Sequence, residues 1–463
     1  MNPQSSNITR RDFIGKSVAS VGAGLVLGAP GMLRAASAGE SDKIHVGLIG
    51  TGRMGRALLD AMSNISGLHF QAVCDIWDYN RQSGVIRVRS LQGTAPPAYV
   101  DIDDMLAKEK GLDAVVIAVP DFWHSPYTVK CLEAGLHVYC EEPMSNTIDG
   151  ARAMVKAMEK SGKLCQIGYQ RRSNPRYRFT HDQLINGHKI CGQIVNVNGQ
   201  WNRPVTFCQD IAFRPKLALD PAVLTKYSYK DMHQFTNWRH YRDLCGGPIC
   251  DLGGQQIDVF NWFLGATPKS VFASGGNVYF KNREHFDNLM AIFDYDTPQG
   301  EVRAFYQILT AASEHNGYFE GFMGTEGTIR ISENSYCSNA IIRDDSAPSW
   351  GPLVVSGLLK ANPIPGKTRS VSPEGILTGP TDLPDPDYGL TTDLPQIQYR
   401  NGSKGEMPPH QPHLDNFFAA VRGEAKLNCD ARAAFLSEAP VYWVNRSALS
   451  KQPIVFTPEQ LSV

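Results

Sequence analysis

Between a short run of β-favouring residues, Ile44 to Ile49, and a helix-like stretch, Arg56 to Asn64, stands Gly50-Thr51-Gly52-Arg53-Met54-Gly55. A G-x-G-x-x-G string alone says little, but here Asp75 closes the next apolar run, Phe70 to Cys74, 20 residues after Gly55. That context predicts a cradle for a dinucleotide at the tip of a first strand. Gly50 permits the tight turn, Gly52 lets a pyrophosphate approach the backbone, and Gly55 lets helix pack closely on strand. The helix N-terminus, with Thr51, Arg53 and Met54 around it, offers amide donors to phosphate. Asp75 is placed to accept bonds from both ribose hydroxyls and to repel a 2′-phosphate, so NAD is expected over NADP.

The alternation of short apolar runs and helix-like stretches continues through Leu112–Val119, Ser125–Glu133, Leu136–Cys140, Ile148–Lys160 and Leu164–Gly168. Strands separated by helices of this length imply right-handed crossovers and a parallel sheet, a Rossmann-type domain over residues 43–168. Ligands on such sheets sit at the carboxyl ends of the strands. Those ends carry Pro120-Asp121-Phe122-Trp123-His124, Glu141-Glu142-Pro143 and Tyr169-Gln170-Arg171-Arg172. Pro120, Trp123, His124, Glu141 and Gln170 are therefore candidates for cofactor contacts, and Arg171 and Arg172 for holding a substrate.

After about residue 185 the period changes. Longer alternating runs at Ile194–Asn202, Ser270–Phe280, Leu289–Tyr295, Glu301–Leu309, Tyr318–Met323 and Thr328–Ser332 predict an open, mostly antiparallel sheet in an α+β domain over 169–463. A helix over Ile249–Leu264, stopped by Gly265 and Pro268, places Asp251, Gln255 and Asp258 on one stripe, either solvent-facing or the wall of a pocket. Trp201, Asn202 and Arg203 close the first strand of this domain and suit the apolar face of a sugar. Residues 343–412 hold 12 of the 29 prolines and read as a long surface excursion.

With 42% apolar and 20% charged residues in 463, the chain folds rather than stays disordered. Residues 1–38 read as an address: the twin-arginine pattern Ile8 to Lys16, the weakly apolar run Ser17–Leu33 and the small-residue site Ala36-Ser37-Ala38. The run is shorter than the ~18 to 20 apolar residues of a span, so export to the periplasm is expected, with no span in the mature protein. Without that segment the chain carries a charge of −4, which offers no footprint for nucleic acid. The ten cysteines have no C-x-x-C and no zinc spacing, so no metal is expected.

The glycine string, the cluster Asp121 to His124, Glu141-x-Pro143 and the stretch from Gly246-Gly247-Pro248 through Asp251 to Asp258 together resemble the glucose–fructose oxidoreductase and inositol dehydrogenase family, over about Lys43 to Phe456. The resemblance implies a nicotinamide held tightly between the two domains, oxidation or reduction of a sugar or polyol carbon, and dimers or tetramers formed through the open sheet face. It also exposes two departures. The family usually has Glu-Lys-Pro where this chain has Glu141-Glu142-Pro143, and Asp-x-x-x-His where it has Asp251 and Gln255.

Both ionisable partners of the usual site are thus replaced, and an amide such as that of Gln255 cannot take a hydroxyl proton. Three readings follow. Glu142, raised by burial and by Asp251 nearby, acts as base; or His124, His233 or His240 does, with Arg239 beside them on the substrate; or the chain binds nicotinamide and sugar without dehydrogenation. Transient oxidation leading to glycoside cleavage, as in related NAD-dependent glycosidases, is a further form of the enzymatic reading.

Overall fold

The computed structural model describes residues 43–312, 317–334, 339–363, 390–393 and 408–463. The expected leader, 1–38, and much of the proline-rich stretch, 364–389 and 394–407, lie outside the described residues.

Two sheets organise the chain. The first runs β1 (Ile44–Ile49), β2 (Leu68–Cys74), β3 (Ala98–Tyr99), β4 (Ala114–Ile117), β5 (His137–Cys140) and β6 (Cys165–Ile167), in the order β3-β2-β1-β4-β5-β6. Every pairing is parallel. All four residues of β4 are buried, because crossover helices cover both faces of a parallel sheet. These helices are α1 (Arg53–Met62), α2 (Asp78–Gln92), α3 (Ile102–Lys108), α4 (Asp121–Glu133) and α5 (Ile148–Ser161). The ends of α5 follow local chemistry: the Thr147 side chain accepts from the Gly150 amide, and Gly162 closes the helix at φ +66°.

The second sheet collects β7 (Ile194–Pro204), β8 (Pro268–Gly276), β9 (Asn288–Thr297), β10 (Gly300–Ala312), β11 (Tyr318–Gly324), β12 (Gly327–Ile331), β13 (Ala340–Arg343), β14 (Lys360–Pro363), β15 (Leu390–Asp393) and β16 (Ile454–Val455). Its order is β14-β15-β13-β12-β11-β7-β10-β9-β8-β16. The β7–β10 pair is parallel and the other pairings are antiparallel. In β9, Leu289, Ala291, Phe293 and Tyr295 point into the core, while Ile292 faces outward.

Three expectations need correction. The helix over Ile249–Leu264 is two pieces, a π turn Ile249–Gly253 running into α6 (Gly254–Leu264), and such turns re-aim side chains at functional sites. The proline-rich stretch is not simply an excursion: its described parts add β14 and β15 to the sheet edge. Nor does the chain after residue 168 belong wholly to the second layer. Leu414, Phe417 and Phe418 of α7 (Gln411–Val421) pack with Val46 and Leu58 of the first sheet's layer. In α8 (Ala431–Ser450), Phe435 joins the core around β4 to β6, whereas Val441 and Val444 join that of the second sheet. An apolar stripe specifies that a helix is covered, not by which sheet.

Polar ties reinforce this joint. Arg171, just after β6, pairs with Glu320 of β11 at 2.5 Å and with Glu333 at 3.4 Å, and Tyr177 donates to the other Glu320 oxygen at 2.7 Å. Arg172 makes a forked pair with Asp258 of α6 through Nε and Nη2, at 2.8–3.0 Å. Removing one partner from a buried pair leaves the other charge uncompensated. Arg171→Met is therefore expected to destabilise the protein by about 3–5 kcal/mol, read as a lower urea midpoint.

Candidate functional site

The cradle has the shape a dinucleotide requires. Gly50 stands at φ +85°, and a Cβ there would lie 2.3 Å from the Ala118 carbonyl oxygen. A Cβ on Gly55 would lie 1.9 Å from the Gly50 oxygen, so α1 sits against the turn at a distance only glycine allows. A Cβ on Gly52, by contrast, would meet nothing nearer than the Asn80 amide nitrogen at 3.6 Å, leaving its backbone open to a phosphate. The side chains of Arg53 and Met54 are exposed beside it. Asp75 accepts from the Thr51 amide at 2.9 Å and from the Trp77 amide at 2.8 Å. One lone pair on each carboxylate oxygen is used to hold the turn, and the remainder suits ribose hydroxyls.

The edge of the cradle is closed by a segment that sequence reasoning left unassigned. Leu224, Tyr227, Tyr229 and Met232 form a cluster against Ile76, Trp77, Phe122 and Trp123. Trp123 stacks on Tyr127 at 5.0 Å, and the Trp77 indole N–H donates to the Leu217 carbonyl at 2.6 Å.

At the ends of β5 and β6 the polar groups converge. The Glu142–Pro143 peptide is cis, and the turn is clamped from two sides. His124, buried on α4, contacts the Pro143 carbonyl through Nδ1 at 2.6 Å. A carbonyl only accepts, so the neutral ring carries its proton on Nδ1; burial pushes the histidine down to about 4. Glu438 of α8 takes the Met144 amide at 2.8 Å and the Tyr169 hydroxyl at 2.7 Å, and burial raises it to about 7. Thus fixed, Glu142 accepts from Gln255 Nε2 at 2.6 Å through one oxygen, while Gln255 also donates to Gln170 Oε1 at 2.9 Å. The other Glu142 oxygen is buried and receives no donor among the described residues, while the Glu141 carboxyl lies within hydrogen-bond reach of the Glu142 carboxyl. Burial, with Glu141 next to it, pushes the Glu142 carboxyl well above the ordinary carboxylate range. Glu141 itself receives the Tyr139 hydroxyl at 3.3 Å.

Asp251, four residues before Gln255, accepts from Arg239 Nε at 3.0 and 3.1 Å. Burial alone would raise its carboxyl, but Arg239 beside it turns the balance downward. Burial, reinforced by Asp251, raises Asp121 well above its ordinary range. Of these two, Asp251 is the stronger acid. Next to it opens a cavity of about 130 Å³, whose walls include Arg203, Trp238, Arg239, His240, Asp251 and Thr310.

Of the expected site residues, the structure thus brings Glu142, Gln255, Gln170, Glu141 and His124 together at the strand ends, and Asp251, Arg239 and His240 at the adjoining cavity. It places others differently. Arg171, Arg172 and Asp258, expected to hold substrate, are committed to buried ion pairs, and Asp258 also accepts from Ser437 at 2.7 Å. Trp201 is half-buried and stacks on Tyr318 of the paired strand at 4.4 Å. His233 faces Asp210 at 3.0 Å and is exposed. Glu438 was missed; its only signal in the sequence is a carboxylate on an otherwise apolar helical stripe.

Comparison with known proteins accords with this geometry. Residues 44–169 match a family described as the oxidoreductase family with an NAD-binding Rossmann fold, and residues 222–330 match the GFO/IDH/MocA C-terminal domain. An inositol 2-dehydrogenase from Rubrobacter xylanophilus is 32% identical over 315 residues, 67% of this chain and 77% of that one. The chain belongs to the GFO/IDH/MocA oxidoreductase family. A glycosyl hydrolase family 109 protein of Shewanella baltica is 28% identical over 181 residues, 35% of this chain and 39% of that one. Among solved structures, the WlbA dehydrogenase from Bordetella pertussis in complex with NADH and UDP-GlcNAcA superposes with a TM-score of 0.61 at 19% identity, covering 90% and 99% of the two chains. A levoglucosan dehydrogenase complex with NADH and L-sorbose gives 0.63 at 15%, covering 91% and 100%.

The protein is an NAD-binding enzyme of this family, and the open Gly52 backbone, the tight Gly55 contact and the Asp75 carboxylate fit that cofactor. Gly52→Ala puts a methyl group where the pyrophosphate approaches and touches nothing else closely. It is expected to weaken NADH binding roughly tenfold or more, about 1.4 kcal/mol, with an unchanged melting temperature, as read by fluorescence titration and thermal unfolding.

Proposed function

We propose that the protein exchanges hydride between NAD and a hydroxyl-bearing carbon of a sugar or polyol, with Glu142 taking or returning the hydroxyl proton. The observation that carries this reading is the Glu142 carboxyl itself: one oxygen held by Gln255 at 2.6 Å, the other buried and receiving no donor among the described residues. Bound nicotinamide supplies the hydride acceptor or donor. The chain's own residues do the rest. Gln255, which has no proton to exchange, orients the carboxyl; His124 and Glu438 hold the turn that presents it. A proton arriving at Glu142 goes to the unpartnered oxygen.

The direction of its shift fixes the pH dependence. Because burial raises the Glu142 carboxyl, the acid form persists well above the usual range. Alcohol oxidation, which needs the carboxylate, therefore rises as pH climbs through the raised value, and carbonyl reduction, which needs the acid, falls over the same interval. Glu142→Gln is expected to keep NADH binding, to lower turnover by roughly 10²–10⁴-fold and to flatten both profiles. Unchanged turnover in this variant would remove Glu142 from the chemistry. Glycoside cleavage without net NADH formation, detected by product chromatography in the same assays, would replace net oxidation by the closed redox cycle. We further infer NAD over NADP, since a 2′-phosphate would meet the Asp75 charge.

The outer face of the second sheet supports assembly. Phe272, Ile292 and Phe305 are opposite one another on β8, β9 and β10 and are all exposed, forming an apolar row. We infer that a second copy covers it. Ile292→Lys is expected to shift the protein towards monomer in light scattering while leaving NADH affinity unchanged.

A further inference from the structure

The cavity beside Asp251 holds three guanidinium groups in different states. Arg239 is matched by Asp251. Arg283 is matched by Asp210 at 3.1 Å and also donates to the Cys208 carbonyl. The Arg203 guanidinium, at the end of β7, makes no hydrogen bond or ion pair among the described residues; the Trp201 ring lies 5.3 Å away, and Asp251, already paired with Arg239, attracts it only through space. Asp287, another acid on the wall, accepts from the amides of Val278, Tyr279 and Phe280 at 2.6–2.8 Å, so both its oxygens are already used. His240 and His285 are pushed down by burial and contribute no charge at neutral pH.

A half-buried guanidinium has five N–H donors and gains most from a planar anion that accepts two of them. We propose that Arg203 is a specificity residue, and that the substrate is a sugar bearing an anionic substituent, a carboxylate or a sulfate ester, which pairs with it in this cavity. The inference rests on the reading that the protein acts on a sugar, and it deepens that reading by naming the class. Burial disfavours the Arg203 cation, and an arriving anion relieves that cost. Asp251 lines this cavity and stands four residues before Gln255, which holds Glu142, so we infer that the anionic group and the reacting hydroxyl occupy neighbouring ends of one site. A neutral hydroxyl can also bond a guanidinium, but charge-assisted pairs are roughly twice as strong.

The test measures binding of D-glucuronate, glucose 6-sulfate and D-glucose to the purified NADH-loaded protein by calorimetry. At least one anionic sugar should bind tenfold or more tighter than glucose, with an advantage that shrinks at high salt. Arg203→Gln should abolish the advantage while leaving NADH affinity within twofold. Arg203→Lys, which retains charge but not the fork, should keep part of it and supplies the test where the glutamine variant does not fold. The preferred anion distinguishes carboxylate from sulfate. Equal binding of all three sugars, no binding of any, or an advantage that survives Arg203→Gln would overturn the proposal. So would a variant whose main loss is NADH affinity, since Arg203 would then serve the cofactor. Anionic sugars that bind without hydride exchange would sink the activity and leave this inference standing; turnover of neutral sugars with no anionic preference would do the reverse.

Discussion

Two consecutive arginines at the end of β6 hold the two halves of the molecule in register. Arg171 reaches Glu320 on a strand of the second sheet, and Arg172 reaches Asp258 on the helix that covers it. Charges taken out of water are tolerable only with a partner at close range, so each pair accepts a narrow set of relative placements. The residues immediately before them, Gly168 and Gln170, are therefore set against α6, and Gln255 meets Glu142 and Gln170 together. The chemistry at the strand ends depends on a joint made a few residues away.

That joint gives meaning to the replacement of lysine and histidine by Glu142 and Gln255. A lysine and a histidine would be two titrating groups, one cationic. Here a single acid titrates, and the amide beside it can only donate to it or accept from a neighbour. Gln255 spends its two N–H donors within this cluster, so one Glu142 oxygen is held and the other is left for the proton. Because Glu141 is also buried, a second negative charge next door is disfavoured, and the pair gives up its last proton at higher pH than an exposed carboxyl would. The site is thus biased towards storing the proton that oxidation releases.

The sequence made the first layer legible because each requirement was local: glycine where a Cβ would strike the Gly50 or Ala118 carbonyl, an acid at the tip of β2, and helix stops such as Gly265 at φ +62°. Glu142 and Gln255 were legible for another reason, as departures from a resembling pattern. What escaped notice was long-range. Arg171 and Arg172 looked like substrate ligands because their partners lie 149 and 86 residues further along the chain. Glu438 supports the Glu142–Pro143 turn from 294 residues past Met144, and α7 returns to the first sheet rather than the second. Periodicity reports that a face is covered; only the folded chain reports by what.

The same reasoning explains why the cavity is uneven rather than simply basic. Four arginines near the joint and the cavity each have a counter-charge on the chain itself: Glu320 for Arg171, Asp258 for Arg172, Asp251 for Arg239, Asp210 for Arg283. Arg203 departs from that habit beside the site where a ligand must arrive. A structural role would leave its cation uncompensated at a standing cost, whereas a ligand-binding role incurs that cost only until the anion binds. The unmatched guanidinium is then the complement of a group the chain does not itself contain.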